Sequence, residues 1–311
     1  MSNPKVLITA QIHPYLKEQF LLSGYEVDEV FDISQTELAE IIHQYKVLVI
    51  TTYLTVDKTI LDAATNLEII ARVGSGLENV DVVVCKEKNI VVVNSPEGNA
   101  QAVAEHSLAL LLNLNNNVSK SNNELKNGIF LREANRGFEL SEQKIGIIGF
   151  GNTGQAFAKL LQVFDTNIYF YDIDNSITEN YNYKKVDLGF IQANCNVISF
   201  HVPYNSTTHH YISQSFIAKC KQQPIIINTA RGKIADTLTV IDALNKNLIR
   251  GFGVDVFEDE PITANKIHTF ETYQTLLAFP NVVATSHIAG WTTASYYKLV
   301  KVLWEKMKNH L

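Results

Sequence analysis

Between Lys144 and Asp172 the chain reads strand, glycine turn, helix, strand and acid, and that order constrains its fold more than any other stretch. Lys144-Ile145-Gly146-Ile147-Ile148 is an apolar strand entering Gly149-Phe150-Gly151-Asn152-Thr153-Gly154, a Gly-x-Gly-x-x-Gly turn, and the helical run Gln155–Leu161 follows at once. A second apolar strand, Asn167–Tyr171, ends at Asp172, about 20 residues past the glycines. Each part has a physical reason. Gly149 permits the tight turn, Gly151 lets backbone N–H groups approach a pyrophosphate, and Gly154 lets the helix pack against the sheet. With Asn152 and Thr153 these glycines form a candidate cofactor cradle, reinforced by the positive end of the helix dipole. Asp172 can accept both hydroxyls of a ribose, and its charge repels a 2′-phosphate, so the pattern favours NAD over NADP.

The 311 residues suffice for two domains, and 46% hydrophobic with 19% charged residues is ordinary for globular chains. A net charge of −6, with no compensating Lys/Arg block, offers no footprint for nucleic acid. Apolar runs such as Leu108–Leu112 are too short to cross a bilayer, and Met1–Leu7 lacks the architecture of a secretory signal. Cys85, Cys195 and Cys220 are few, odd in number and far apart, which fits a reducing cytoplasm better than a disulfide framework. His201, His209 and His210 have no ligand-like spacing with cysteines or carboxylates, so no metal is expected.

Alternating strand and helix signals run through both halves. Val6–Thr9, Val47–Ile50, Glu68–Ala71 and Ile90–Val93 are near-continuous apolar strands, with helical patterns between them such as Ser34–Ile42, whose Ser34 and Glu37 are spaced as a capping box. A long apolar helix is expected from about Ala100 to Asn117, suited to a domain or subunit interface. Further strand–helix units follow the glycine turn, and an amphipathic helix from Tyr296 to Leu311 closes the sequence with Leu299, Val300, Leu303, Trp304 and Met307 on one stripe. The expected architecture is α/β, with two Rossmann-like, doubly wound parallel-sheet domains. A cofactor domain (residues 97–287) is inserted into a flavodoxin-like substrate domain (1–96 plus 288–311).

Six blocks in one order resemble the D-isomer-specific 2-hydroxyacid dehydrogenases over nearly the whole length. They are Val73–Asp81, Asn94–Asn99 with Val103-Ala104-Glu105-His106, the glycine turn, Asn228-Thr229-Ala230-Arg231-Gly232, Gly253–Pro261 and Ser286-His287-Ile288-Ala289-Gly290. The resemblance implies a triad of Arg231, Glu260 and His287, and an NAD-dependent oxidation of a secondary alcohol. It also implies cofactor contacts at His201, Val202, Pro203, Thr229, Ala230 and Asp255, the last accepting from the nicotinamide amide. A carboxylate-binding turn would lie at Val73, Gly74, Ser75 and Gly76, working with Arg231, and a homodimer would form through the 100–117 helix. Chemistry supports the residue types. Histidine titrates near neutrality, a carboxylate on its other nitrogen fixes the tautomer, and arginine offers a planar fork to a carboxylate. In isolation each has a plainer role: His287 as a satisfied strand-end histidine, Arg231 as a surface ion pair, and Glu260 as one acid beside Glu258 and Asp259 in a solvated loop. His106, on an apolar helix, reads as structural.

Within that family the chain most resembles short phosphoglycerate dehydrogenases without a regulatory domain, which implies 3-phosphoglycerate and serine biosynthesis. Two departures weigh on that choice. Ile50–Thr55 carries no cation where the subfamily has an arginine-bearing turn, so that Arg72, Arg132 and Arg136 are either substitutes or mere structure. Trp291 also stands where a small residue is usual. A glyoxylate or hydroxypyruvate reductase is the alternative, and an NAD-sensing corepressor a remote one.

Overall fold

The computed structural model describes residues 3–262 and 267–311. The chain forms two compact units, one of Met1–Ala100 with Trp291–Leu311 and one of Gln101–Gly290. Both are built on parallel sheets with helices between successive strands, except between Asn167–Tyr171 and Tyr183–Lys185, which a loop joins.

The first unit carries β1 (Lys5–Ile8), β2 (Glu26–Glu29), β3 (Val47–Ile50), β4 (Ile69–Arg72) and β5 (Val91–Asn94) in the order β2-β1-β3-β4-β5. Every residue of β3 and β4 is buried, so the sheet is covered on both faces. Successive side chains point to opposite faces, which divides the core in two. Leu7, Leu48, Ile50 and Ile70 pack with Leu38, Ile42, Ile60 and Leu61, whereas Val6, Ile8, Val47, Val49 and Ile69 pack with Leu16, Phe20 and the last helix. That helix, Thr293–Met307, buries the whole Leu299, Val300, Leu303, Trp304, Met307 stripe. It starts three residues before the expected Tyr296, because the Thr292 hydroxyl accepts from the Ser295 N–H and Ser295 returns the bond. The Ser34–Glu37 capping box is formed as its spacing requires.

The second unit carries β6 (Lys144–Ile148), β7 (Asn167–Tyr171), β8 (Tyr183–Lys185), β9 (Val197–Phe200), β10 (Ile225–Asn228), β11 (Gly251–Val254) and β12 (Val282–Ala284). Their order is β12-β11-β10-β9-β6-β7-β8, so the winding reverses between β6 and β9. The register lines up the strand ends: Tyr171, Ile148, Phe200, Asn228, Val254 and Ala284 are successive partners in one row across the sheet. The residues leaving that row are Asp172, Gly149, His201, Thr229, Asp255 and Thr285. A parallel sheet thus places on one edge six loops scattered over more than a hundred positions of sequence.

The long apolar helix spans Pro96–Asn115. Proline is tolerated in a first turn, and Asn117, at φ +53°, breaks the path before the next helix, Val118–Lys126. Its Ala104, Leu110 and Leu111 are consumed in the second unit's own core. Large apolar side chains remain exposed just beyond it, at Val118, Leu125, Ile129, Phe130 and Leu131. No helix among the described residues is long and apolar enough to cross a membrane.

Candidate active site

At the reversal point of the second sheet, the turn after β6 meets the segment after β9. Gly149 has φ +88°, and a Cβ there would lie 2.6 Å from the His201 carbonyl oxygen, so the position admits only glycine. A Cβ on Gly154 would stand 2.2 Å from the Gly149 oxygen, which brings the helix Asn152–Leu161 close against the turn. Gly151 differs: nothing lies within 4 Å of its missing Cβ, and it heads that helix without a side-chain cap. An open backbone in front of uncapped helical N–H groups is the shape a pyrophosphate requires. Asp172 sits beside the turn, its Oδ2 accepting from the Phe150 N–H at 2.6 Å and its Oδ1 from the Asp174 N–H at 2.8 Å.

The ring of His201 points inward rather than along the cradle. It is 8% exposed, packs near Phe157, and its Nε2 lies 2.8 Å from the Ser199 hydroxyl. Burial pushes its pKa down to about 3, so the ring is neutral. At this position the cradle is therefore bounded by backbone, by Val202, whose Cγ1 approaches Gly149, and by the exposed Pro203.

The turn after β10 is folded by Asn228, whose Oδ1 accepts from the Ala230 N–H at 3.1 Å and whose Nδ2 donates to the Arg231 carbonyl at 3.0 Å. Thr229 is held from behind, its hydroxyl 2.8 Å from that of Ser107. Arg231 is half-buried, with Nη1 donating to the Ala230 carbonyl at 2.7 Å.

Glu260 and His287 come together directly. Nδ1–H of His287 donates to Glu260 Oε2 at 2.5 Å, while Glu260 Oε1 accepts from the Phe257 N–H at 2.6 Å. His287 is half-exposed, which leaves Nε2 for a ligand. The Glu260 bond raises the imidazole pKa above its ordinary value; partial burial and the charge of Arg231 oppose this, and Asp255 adds to it. Sequence reading separates Arg231, Glu260 and His287 by up to 56 positions, and the aligned ends of β10, β11 and β12 gather them.

Asp255 buttresses the turn that carries His287. Fully buried, its carboxylate accepts from the Thr285 hydroxyl at 2.5 Å and from the N–H groups of Ile288 at 2.9 Å and Ala289 at 2.8 Å, and its carbonyl accepts from the His287 N–H at 2.8 Å. These bonds hold His287 at φ +57°, a left-handed conformation that a non-glycine residue enters only under constraint. His106 belongs to the same network, with Nε2 at 2.8 Å from the Thr285 hydroxyl. His106 thus has the structural part expected of it, whereas nothing local in the sequence marks Thr285, a strand-end threonine, as its partner. Among the described residues, no cluster of His, Cys, Asp and Glu is suited to a metal.

In the first unit, the turn Val73–Gly76 leaves the end of β4. Gly74 has φ +132°, donates its N–H to Ser95 Oγ at 3.1 Å and accepts from the Ser95 N–H at 2.9 Å. Its N–H is therefore spent within the protein rather than offered to a ligand. Arg72 is 5% exposed, its Nη1 donates to the Val73 carbonyl at 3.2 Å, and a Cβ on Gly74 would collide with that nitrogen. The guanidinium thus lies directly against the turn. In the second unit, Arg136 is exposed and paired with Glu133 at 2.9 Å, and Arg132 is exposed as well. Trp291 is 75% exposed beside Tyr296.

Residues 108–289 match the model of the D-isomer specific 2-hydroxyacid dehydrogenase NAD binding domain. A hydroxypyruvate reductase from Thermotoga maritima is 36% identical over 294 residues, 94% of each chain. A D-3-phosphoglycerate dehydrogenase from Archaeoglobus fulgidus is 31% identical over 98% of this chain, which spans only 57% of that longer protein. Among solved structures, the D-lactate dehydrogenase of Aquifex aeolicus complexed with NAD and lactic acid is 25% identical, with a TM-score of 0.84 over 98% of this chain and 95% of that one.

Proposed function

This chain belongs to the D-isomer-specific 2-hydroxyacid dehydrogenases, NAD-dependent enzymes acting on CH–OH donors, and on that footing we propose that it interconverts a small, unphosphorylated D-2-hydroxy acid with its 2-oxo acid. The observation that carries the reading is the His287–Glu260 pair at 2.5 Å, with Arg231 close enough for its charge to act on the imidazole. Bound NAD supplies the two-electron chemistry. The open backbone at Gly151, the uncapped helix from Asn152 and the carboxylate of Asp172 fit its pyrophosphate and ribose.

The protein's own work is to move a proton and hold an anion. His287 takes the hydroxyl proton on Nε2 during oxidation, because Nδ1 is committed to Glu260, and returns it during reduction. Glu260 fixes the tautomer and favours the imidazolium. Arg231 offers its planar fork to the substrate carboxylate.

The unphosphorylated class is supported by the cation-free stretch Ile50–Thr55, by the commitment of Arg136 to Glu133, and by the likeness to a hydroxypyruvate reductase over 94% of both chains. One observation favours 3-phosphoglycerate instead: Arg72 places positive charge directly against the Val73–Gly76 turn. NADH oxidation with hydroxypyruvate, glyoxylate and 3-phosphohydroxypyruvate side by side tests the choice. A higher kcat/KM for either unphosphorylated acid is expected, and a strong preference for the phosphorylated one would reverse it. The exposed apolar side chains from Val118 to Leu131 support a homodimer formed beyond the end of the long helix, which sedimentation would test.

A further inference from the structure

The run Glu258-Asp259-Glu260 in the loop after β11 holds three carboxylates, and of these only Glu260 has a part in the chemistry above. Glu258 is not a solvated neighbour: its side chain is 20% exposed. Its Oε1 accepts from His210 Nε2–H at 2.6 Å, and its Oε2 accepts from the Thr237 N–H at 2.9 Å and from the Thr237 hydroxyl. Thr237 opens the helix Thr237–Asn245, so the carboxylate lies at the positive end of a helix dipole. His210 is fixed in turn, with φ +49°, its N–H donated to the Lys233 carbonyl at 2.9 Å and its ring stacked on His209.

The same few residues join the two catalytic turns. A Cβ on Gly232 would sit 1.9 Å from the Phe257 oxygen and 2.6 Å from the Glu258 nitrogen, so the Arg231 turn touches the acidic loop backbone to backbone. On the far side, the Phe257 N–H is held by Glu260 and the Asp259 N–H donates to the Tyr273 hydroxyl at 3.3 Å. Glu258 is thus the side chain that fastens the loop bearing Glu260 to the helix following Arg231 and to the segment following β9.

We propose that Glu258 is a positioning residue, strapped by His210 and Thr237, that holds Glu260 against His287 and keeps the Arg231 turn in register with it. The inference rests on the triad reading. A purely structural role would change stability alone, whereas a positioning role changes turnover and the titration of His287.

Glu258→Gln keeps the shape of the side chain but offers donors on one side, so either His210 or Thr237 loses its acceptor. Full-length protein is assayed for kcat, cofactor affinity and the pH profile of 2-oxo-acid reduction, beside His287→Ala. The expected result is a loss of about 10- to 100-fold in kcat, unchanged NADH affinity, and an alkaline limb moved to lower pH because Glu260 is held less firmly. His210→Gln, on a side chain 38% exposed, should move the same readouts less, and carries the test should Glu258→Gln not fold. Wild-type kcat and pH profile in these variants, with His287→Ala inactive, would overturn the positioning role. An active His287→Ala would instead overturn the triad on which it rests.

Discussion

Glu260 Oε2 accepts from His287 Nδ1–H at 2.5 Å, and that contact is the first cause of the raised imidazole pKa. Because the pKa is raised, the protonated form persists above the ordinary value near 6.5, so an acid is available for reduction at neutral pH. Reduction should therefore slow as pH rises through the raised pKa, and oxidation should quicken over the same range. In Glu260→Gln the lowering effects of burial and Arg231 are opposed only by the charge of Asp255. The alkaline limb of kcat/KM for reduction should then shift to lower pH, and an unshifted limb would remove Glu260 from the role. His287→Ala should bind NADH normally in a fluorescence titration and lose about 10²- to 10⁴-fold in turnover.

Asp255 offers a separate test of how His287 is held. Its carboxylate satisfies a hydroxyl and two N–H groups between Thr285 and Ala289, in a fully buried site. Asp255→Asn replaces one accepting oxygen with an NH₂ group, so at least one buried donor loses its partner. The expected cost is about 1–3 kcal/mol in denaturant unfolding, with turnover reduced because the left-handed turn at His287 loosens. Unfolding and turnover both at wild-type levels would show that the turn holds itself.

How much of this is legible before folding follows from the range of each interaction. The glycine turn, its flanking strands and Asp172 are local signals, and so is the stripe of the last helix, since periodicity and steric need act within a few residues. The Arg231, Glu260 and His287 grouping is not local: it arises because Asn228, Val254 and Ala284 share one register row. Only the matched blocks point to it in advance. Thr285 and Glu258 are less legible still, since their function is to satisfy other residues, and the inward turn of the His201 ring depends on the pocket that Phe157 and Ser199 build around it.

In the proposed function Asp172 carries cofactor choice, and in the fold it carries local structure. Its carboxylate braces the glycine turn through the Phe150 N–H. Asp172→Ala should weaken NADH binding and narrow the preference over NADPH, and Asp172→Asn should do so less, because its amide oxygen can still brace Phe150. Measured Kd values that leave the NADH to NADPH ratio unchanged in both variants would show that another group reads the 2′ position.

His201 yields a prediction about stability rather than rate. Its pKa is about 3 in the folded protein because burial disfavours the charged ring, against about 6.5 when unfolded. Well above pH 6.5 the residue is neutral in both states and contributes no pH dependence. As pH falls from there toward 3, the unfolded chain takes up a proton that the folded chain refuses, so the folded state loses ground. Between pH 7 and pH 5 the loss from this one ring is roughly 2 kcal/mol. His201→Gln cannot titrate and retains a polar atom that can pair with Ser199. Its unfolding free energy should be lower than wild type at pH 7 but should fall less by pH 5, and the difference between the two slopes isolates the histidine. Equal slopes would mean that the ring is protonated in the folded protein, with Ser199 Oγ accepting from Nε2–H and water reaching the other nitrogen.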